Sequence, residues 1–78
     1  MSPAPFHAAD TFDPSISFVT NGERLGAIII AKIREAGTVR VEFNGLRGLT
    51  PSFFNAALLP VGEAFGPDSL RTQLAFEF

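Results

Sequence analysis

The sequence contains no cysteine, tryptophan or tyrosine, and only one histidine. The lack of cysteine excludes disulfides and thiolate metal sites, and a single histidine argues against a zinc cluster. Charged residues make up 18% of the chain and the formal net charge is −2, which argues against nucleic acid as the main partner. The longest apolar run, Ala27 to Ala31, is far shorter than the ~20 residues that span a bilayer. We therefore expect no metal, no cofactor, no nucleic acid and no membrane.

The composition is that of one small globular domain. The chain has 78 residues, of which 46% are hydrophobic and nine are phenylalanine. In a domain of this size, apolar burial and conformational entropy nearly cancel, so a partner or self-association would add stability. The first basic residue is Arg24, so the basic start of a secretory signal is missing. We expect a cytoplasmic protein.

The chain divides into an irregular N-terminal arm, residues 1–14, and a single domain, residues 15–78. Three prolines interrupt the arm, although Phe6 and Phe12 offer side chains that dock on the domain. Polar and apolar residues alternate from Ser15 to Val19, which predicts a first strand.

A long helix is predicted next. Thr20 and Glu23 have the spacing of a capping box, with Asn21 as a competing cap, and Gly37 is a good C-terminal stop. Lys32 falls within the apolar stripe and must snorkel or find a partner. That stripe consists of Leu25, Ile28, Ile29, Ile33 and Ala36.

The rest of the chain predicts a strand, a helix and a strand. Thr38 to Phe43 alternates strongly, and Thr50-Pro51 is typical of a helix start. Pro60 then kinks or ends this second helix. One further turn follows, capped by Asp68 or Ser69, before the final strand over Leu74 to Phe78.

The order β-α-β-α-β predicts a small α/β fold. Right-handed crossovers give a three- to four-stranded, mostly parallel or mixed sheet. The polar side chains of Arg40 and Glu42 indicate that helices cover one face only. Glu42 and Glu77 share the open face with Arg40, which favours cross-strand pairing over acid–base chemistry. The final strand is either central or an edge strand that exposes unpaired backbone groups.

Short motifs in residues 22–78 resemble STAS domains, the fold of anti-sigma-factor antagonists, and more closely a STAS-like group of bacterial and phage proteins. In that group a strand ends in Asp-Phe, and after a loop Ser-Phe opens the next helix. A Phe-Gly turn and a last strand follow. The matching segments here are Glu42-Phe43, Ser52-Phe53, Phe65-Gly66 and Leu74 to Phe78, with Leu25 to Ile33 as the preceding helix.

The resemblance implies a binding module without cofactor chemistry, which docks on a histidine-kinase-type ATPase, a transporter or a larger assembly. In the antagonists a serine at the helix start is phosphorylated. Here Pro51 occupies that position and cannot accept phosphate, while Thr50 and Ser52 are the neighbouring hydroxyl residues.

The candidate docking surface is the loop and helix start, residues 45–54, together with the neighbouring Asn55. Thr50 and Ser52 are either helix-capping residues or a phosphoacceptor or anion site. Arg47 is either a solvated charge or a contact to an anion, and Asn55 faces either a partner or water. The predicted partner-binding residues are Gly45, Arg47, Thr50, Ser52 and Asn55.

Two functions remain open, and neither is enzymatic. The first is a regulatory protein–protein interaction module that uses residues 45–54. The second is a small self-assembling or inhibitory protein, for example phage-borne, that forms a homo-oligomer or blocks a larger host complex. His7 lies in the arm with no feature that orients it for catalysis, so we expect no enzyme activity.

Overall fold

The protein forms a three-stranded parallel sheet packed against two long helices. A computed structural model describes residues 5–78; residues 1–4 of the predicted arm lie outside the described residues. The elements in chain order are β1 (Phe6–His7), a 3-10 turn (Ala8–Asp10), α1 (Phe18–Ala36), β2 (Val39–Glu42), α2 (Pro51–Phe65), α3 (Ser69–Thr72) and β3 (Leu74–Glu77). This architecture confirms the predicted small α/β fold.

The strand order in the sheet is β1-β2-β3, and both pairings are parallel. Val41 in the central strand lies between Phe6 of β1 and Phe76 of β3. α1 connects β1 to β2, α2 connects β2 to β3, and the two helices pack against each other, as expected when successive crossovers have the same hand. The final strand is therefore an edge strand of the sheet that residues 5–78 form.

The strand predicted over Ser15 to Val19 is wrong. Ser17 is instead the N-cap of α1, and its hydroxyl accepts a hydrogen bond from the backbone N–H of Thr20 at 3.1 Å. The capping box predicted at Thr20 is also wrong, because α1 already begins at Phe18 and Ser17 is its N-cap. Alternation over five residues does not distinguish a strand from a capped helix start. The first strand lies in β1, within the segment predicted to be irregular.

The end of α1 is as predicted. Gly37 follows the helix with a φ of 83°, and its N–H donates to the carbonyl of Ile33; this left-handed conformation favours glycine. The ammonium of Lys32 lies 5.0 Å from the centre of the Phe6 ring, within range of a cation–π interaction. The expectation that Lys32 must snorkel or find a partner is confirmed, and the contact ties α1 to β1.

The start of α2 is also as predicted. The Thr50 hydroxyl accepts a hydrogen bond from the N–H of Phe53 at 3.3 Å, and Pro51 is the first helical residue. Pro60 does not end the helix, which continues to Phe65. In the next turn, Asp68 holds the N-cap position of α3 without a side-chain cap bond, while the buried Ser69 hydroxyl donates to the carbonyl of Gly66 at 2.7 Å.

The core lies between the sheet and the helices. Two glycines bring α1 against α2: a Cβ at Gly22 would lie 2.3 Å from the carbonyl oxygen of Phe53, and one at Gly26 would lie 2.7 Å from that of Ala57. The helices therefore touch along their backbones. The buried apolar residues are Ala8, Leu25, Ile29, Ile33, Val39, Val41, Phe43, Phe53, Ala57 and Val61.

Candidate docking surface

The five predicted partner-binding residues do not form one surface. Gly45 and Arg47 lie on the loop after β2, whereas Ser52 and Asn55 are exposed on the first turns of α2. Thr50, between them, is half-buried. The structure therefore divides the set between two regions, a cleft at the carboxyl edge of the sheet and a groove between the helices.

The hydroxyl residues at the start of α2 have different surroundings. The Thr50 hydroxyl is engaged by the N–H of Phe53, which is the geometry of an N-cap. Ser52 is exposed in the first turn. The capping interpretation therefore accounts for Thr50, and Ser52 is the more accessible hydroxyl of the two.

The cleft at the carboxyl edge is small and aromatic, with a volume of about 350 Å³. The Phe78 ring stacks on the Phe43 ring with centroids 5.1 Å apart, and Phe54 meets Phe43 edge-on at 5.6 Å. Gly45 lines this cleft, with a φ of 89°. Arg47 is exposed nearby and has no ion-pair partner among residues 5–78.

A larger groove lies between α1 and α2, with a volume of about 710 Å³. We call it the α1–α2 groove. Ser52 and Asn55 belong to it, and most of its other residues are apolar. The residues that line it are Val19, Glu23, Ala27, Ile30, Ser52, Asn55, Ala56, Leu59, Pro60 and Glu63.

Apolar side chains of the α1–α2 groove are open to solvent. Leu59 is 65% exposed and Val19 is 45% exposed. Ala27, on the α1 wall, is also exposed, and Ala56, on the α2 wall, is half-buried. Alanine at these positions leaves the space between the walls unfilled, so the groove presents apolar surface without a covering side chain.

The charges on this groove have one sign. Glu23 lies on the α1 wall and Glu63 on the α2 wall, and no lysine or arginine lines it. Neither carboxylate has a basic partner within 4.0 Å in residues 5–78. The α1–α2 groove is therefore apolar along its length and negative at its margins.

On the open face of the sheet, by contrast, the polar and charged side chains contact one another. The Nε of Arg40 donates to Oε1 of Glu77 at 2.9 Å, and Nδ1 of His7 lies 3.4 Å from Oε1 of Glu42. The amide of Asn44 donates to the same Glu42 oxygen at 2.6 Å. The cross-strand interpretation of Glu77 with Arg40 is confirmed.

In residues 5–78 no group of three or more histidine or acidic side chains is close enough to hold a metal ion. No helix in this part of the chain has both the length and the apolar character needed to cross a bilayer.

Comparison with known protein families, with curated proteins and with solved structures yields no match. The resemblance to STAS domains therefore stays a prediction from short motifs.

Several groove residues were missed by reasoning from the sequence. Val19 was assigned to a strand, and Leu59 was not singled out. The spacing of Gly22 and Gly26, four residues apart on α1, is the signal that could have identified the helix contact, and it was not used. It marks the side of α1 that lies against α2, and Glu23 and Ala27 follow these glycines on the adjoining edge.

Proposed function

We propose that the protein is a non-enzymatic protein-interaction module that docks on its partner through the α1–α2 groove. The observation that carries the proposal is the exposed apolar lining of this groove, with Val19 on one wall and Leu59 on the other. Large apolar side chains grouped in a concave surface are typical of interaction sites. Ser52 and Asn55, two of the residues predicted from the sequence, contribute the polar margin.

The proposal retains what the STAS-like resemblance implies about partners. A kinase-type ATPase is one candidate, and the cytoplasm is the proposed location. The docking surface is shifted, however, from the loop at residues 45–49 to the outer faces of the two helices. Gly45 lines the separate aromatic cleft, Arg47 is an exposed residue of the same loop, and both are peripheral to this proposal.

The test is affinity capture with the full chain and two matched variants, in buffers with and without ATP. Leu59→Ser removes an exposed apolar side chain inside the groove, and Phe78→Ser removes one outside it. Phe78 is 82% exposed, so neither change empties the core. We expect proteins that bind the unaltered chain to be lost with Leu59→Ser and kept with Phe78→Ser.

Circular dichroism of both variants must match that of the unaltered chain, so that a loss of binding is not a loss of folding. If Leu59→Ser captures the same proteins at the same yield, the groove is not the docking surface. If Phe78→Ser alone loses them, the docking surface is the aromatic cleft at the carboxyl edge of the sheet.

A second candidate function is self-association through β3. This strand lies at one edge of the described sheet, and an uncovered edge strand offers unpaired N–H and carbonyl groups to a second chain. Phe78 adds an exposed ring at its end. Sedimentation equilibrium from micromolar to millimolar concentration tests this candidate. A dimer that Phe78→Ser weakens would support it, and a monomer throughout would exclude it in that range.

A further inference from the structure

We propose that the occupant of the α1–α2 groove is an amphipathic helix of a partner protein, with lysine or arginine side chains flanking its apolar stripe. This inference rests on the docking function proposed above and adds the chemistry of the partner. Three features of the groove support it, namely its length, its apolar floor and the sign of its charges.

The dimensions of the groove fit a short helix. Its walls extend from Val19 to Ile30 on α1 and from Ser52 to Glu63 on α2, and a rise of 1.5 Å per residue makes each wall about 17 Å long. Gly22 faces Phe53, and Gly26 faces Ala57, so the two walls run in the same direction. An added helix of roughly three turns would cover the groove from end to end.

The apolar residues lie where such a helix would place its stripe. Val19, Ala27 and Ile30 line one wall, and Ala56 and Leu59 line the other. Helices that bind in grooves insert apolar side chains at positions i, i+3 or i+4, and i+7. The small side chains of Ala27 and Ala56 leave room for those insertions.

The charges determine what flanks the stripe. Glu23 and Glu63 stand on opposite walls. Because Gly22 lies level with Phe53, the two carboxylates are roughly two and a half helical turns or about 14 Å apart along the axes. Because no basic residue of the groove neutralises them, a docked helix with basic flanks gains two ion pairs. A helix with acidic flanks would instead meet like charge on both sides, which selects between partners.

The experiment compares two synthetic peptides on the full chain. Both are stapled helices of about 14 residues with the same leucine stripe; one carries lysine on its flanks and the other glutamate. Affinity is measured by fluorescence anisotropy at low and high salt. We expect the lysine peptide to bind at least about tenfold more tightly, because each exposed ion pair contributes a small favourable energy and each like-charge contact an unfavourable one. We expect the ratio to shrink in high salt.

Variants test whether Glu23 and Glu63 cause the preference for the lysine peptide. Glu23→Gln with Glu63→Gln should bring the two affinities to within about threefold while the lysine peptide still binds through its stripe. Asp10→Asn with Glu35→Gln is the matched control, since it removes two exposed carboxylates that lie outside the groove. The control should keep the preference for the lysine peptide, apart from a small effect of net charge.

Amide chemical-shift mapping identifies the binding site directly. We expect the lysine peptide to shift the resonances of Ala27, Ala56 and Leu59, and not those of β3. Equal binding of the two peptides, tighter binding of the glutamate peptide, shifts outside the groove, or no binding of either peptide would each overturn the inference. None of these results removes the docking function, which fails instead when Leu59→Ser leaves partner capture unchanged.

Discussion

The side-chain amide of Asn21 pairs with the backbone of Asp13 through two hydrogen bonds. The Asp13 N–H donates to the Asn21 side-chain oxygen, and the Asn21 amide nitrogen donates to the Asp13 carbonyl, both at 2.8 Å. The same nitrogen also donates to the carbonyl of Ser17 at 3.0 Å. Asn21 is 3% exposed, so these bonds are shielded from water and fasten the segment before α1 to its first turns.

Replacement of Asn21 by alanine should therefore be costly. The change leaves the N–H of Asp13 without its partner, while the Asp13 carbonyl keeps the bond from the Ile16 N–H at 3.3 Å. Because an unsatisfied polar group shielded from water costs about 1–3 kcal/mol, we expect Asn21→Ala to lower the free energy of unfolding by roughly that amount, measured by urea denaturation. Asn55→Ala, at an exposed position on α2, is the control and should change stability by less than about 0.5 kcal/mol. Equal effects of the two variants would contradict this account.

The glycines of the two helices should respond to alanine with opposite signs. A Cβ at Gly22 would meet backbone at 2.3 Å, and one at Gly26 would meet backbone at 2.7 Å. Accommodation requires α1 and α2 to separate, so either variant should destabilise the fold by at least about 1–3 kcal/mol.

Gly62 is the matched control for this prediction. It also lies inside a helix, but a Cβ there would have its nearest neighbour at 3.9 Å, the terminal methyl of Leu70. Gly62→Ala should stabilise the fold by about 0.5–1 kcal/mol, because alanine is the better helix former. Thermal unfolding of the three variants measures the difference, and a stabilising Gly22→Ala would show that the helices are not in backbone contact.

The two hydroxyl residues at the start of α2 should differ in their effect on stability. Thr50→Ala removes the acceptor of the Phe53 N–H bond, and loss of an N-cap costs about 1 kcal/mol. Ser52→Ala changes an exposed first-turn residue and should stay within about 0.5 kcal/mol of the unaltered chain. Chemical denaturation of both variants checks the assignment, which a larger loss for Ser52→Ala would refute.

The pKa of the Asp13 carboxylate should lie below the ordinary value for aspartate. Hydrogen bonds from the hydroxyl and the backbone N–H of Ser15 hold its pKa below the ordinary value, because they favour the charged form. A lowered folded-state pKa stabilises the fold above the unfolded-state pKa, about 3.9 for aspartate. That contribution is lost as the pH falls through the folded-state value.

Ser15→Ala tests the cause of this shift. It removes the hydroxyl bond, the larger of the two contributions from Ser15, and should raise the pKa of Asp13 towards the ordinary value. Titration of the carboxyl carbon by NMR measures the pKa of this residue alone. An unchanged pKa in the variant would mean that other groups lower it.

The sequence by itself determined the parts of the fold that depend on local chemistry. Gly37 ends α1 because glycine accepts a positive φ. Thr50 and Pro51 begin α2, because the Thr50 hydroxyl caps the helix and the proline ring fixes φ near the helical value. The strict alternation around Val41 identified β2 as a strand, although its central place in the sheet did not follow from the sequence. The order of elements predicted a small α/β fold with a mostly parallel or mixed sheet, and the polar side chains of Arg40 and Glu42 indicated helices on one face only.

Tertiary structure alone decided where β1 lies. The strand has two residues, too few for a visible period, and it exists because Phe6 pairs with Val41 and receives Lys32 on its ring. The alternation at residues 15–19 predicted the first strand at the wrong place, since its polar residue Ser17 is the N-cap of α1. The candidate site was divided for a similar reason. Residues 45–55 are continuous in sequence, but the turn into α2 directs Gly45 to the edge of the sheet and Asn55 to α1. The α1–α2 groove itself depends on how closely Gly22 and Gly26 let two helices approach, a distance that no single helix encodes.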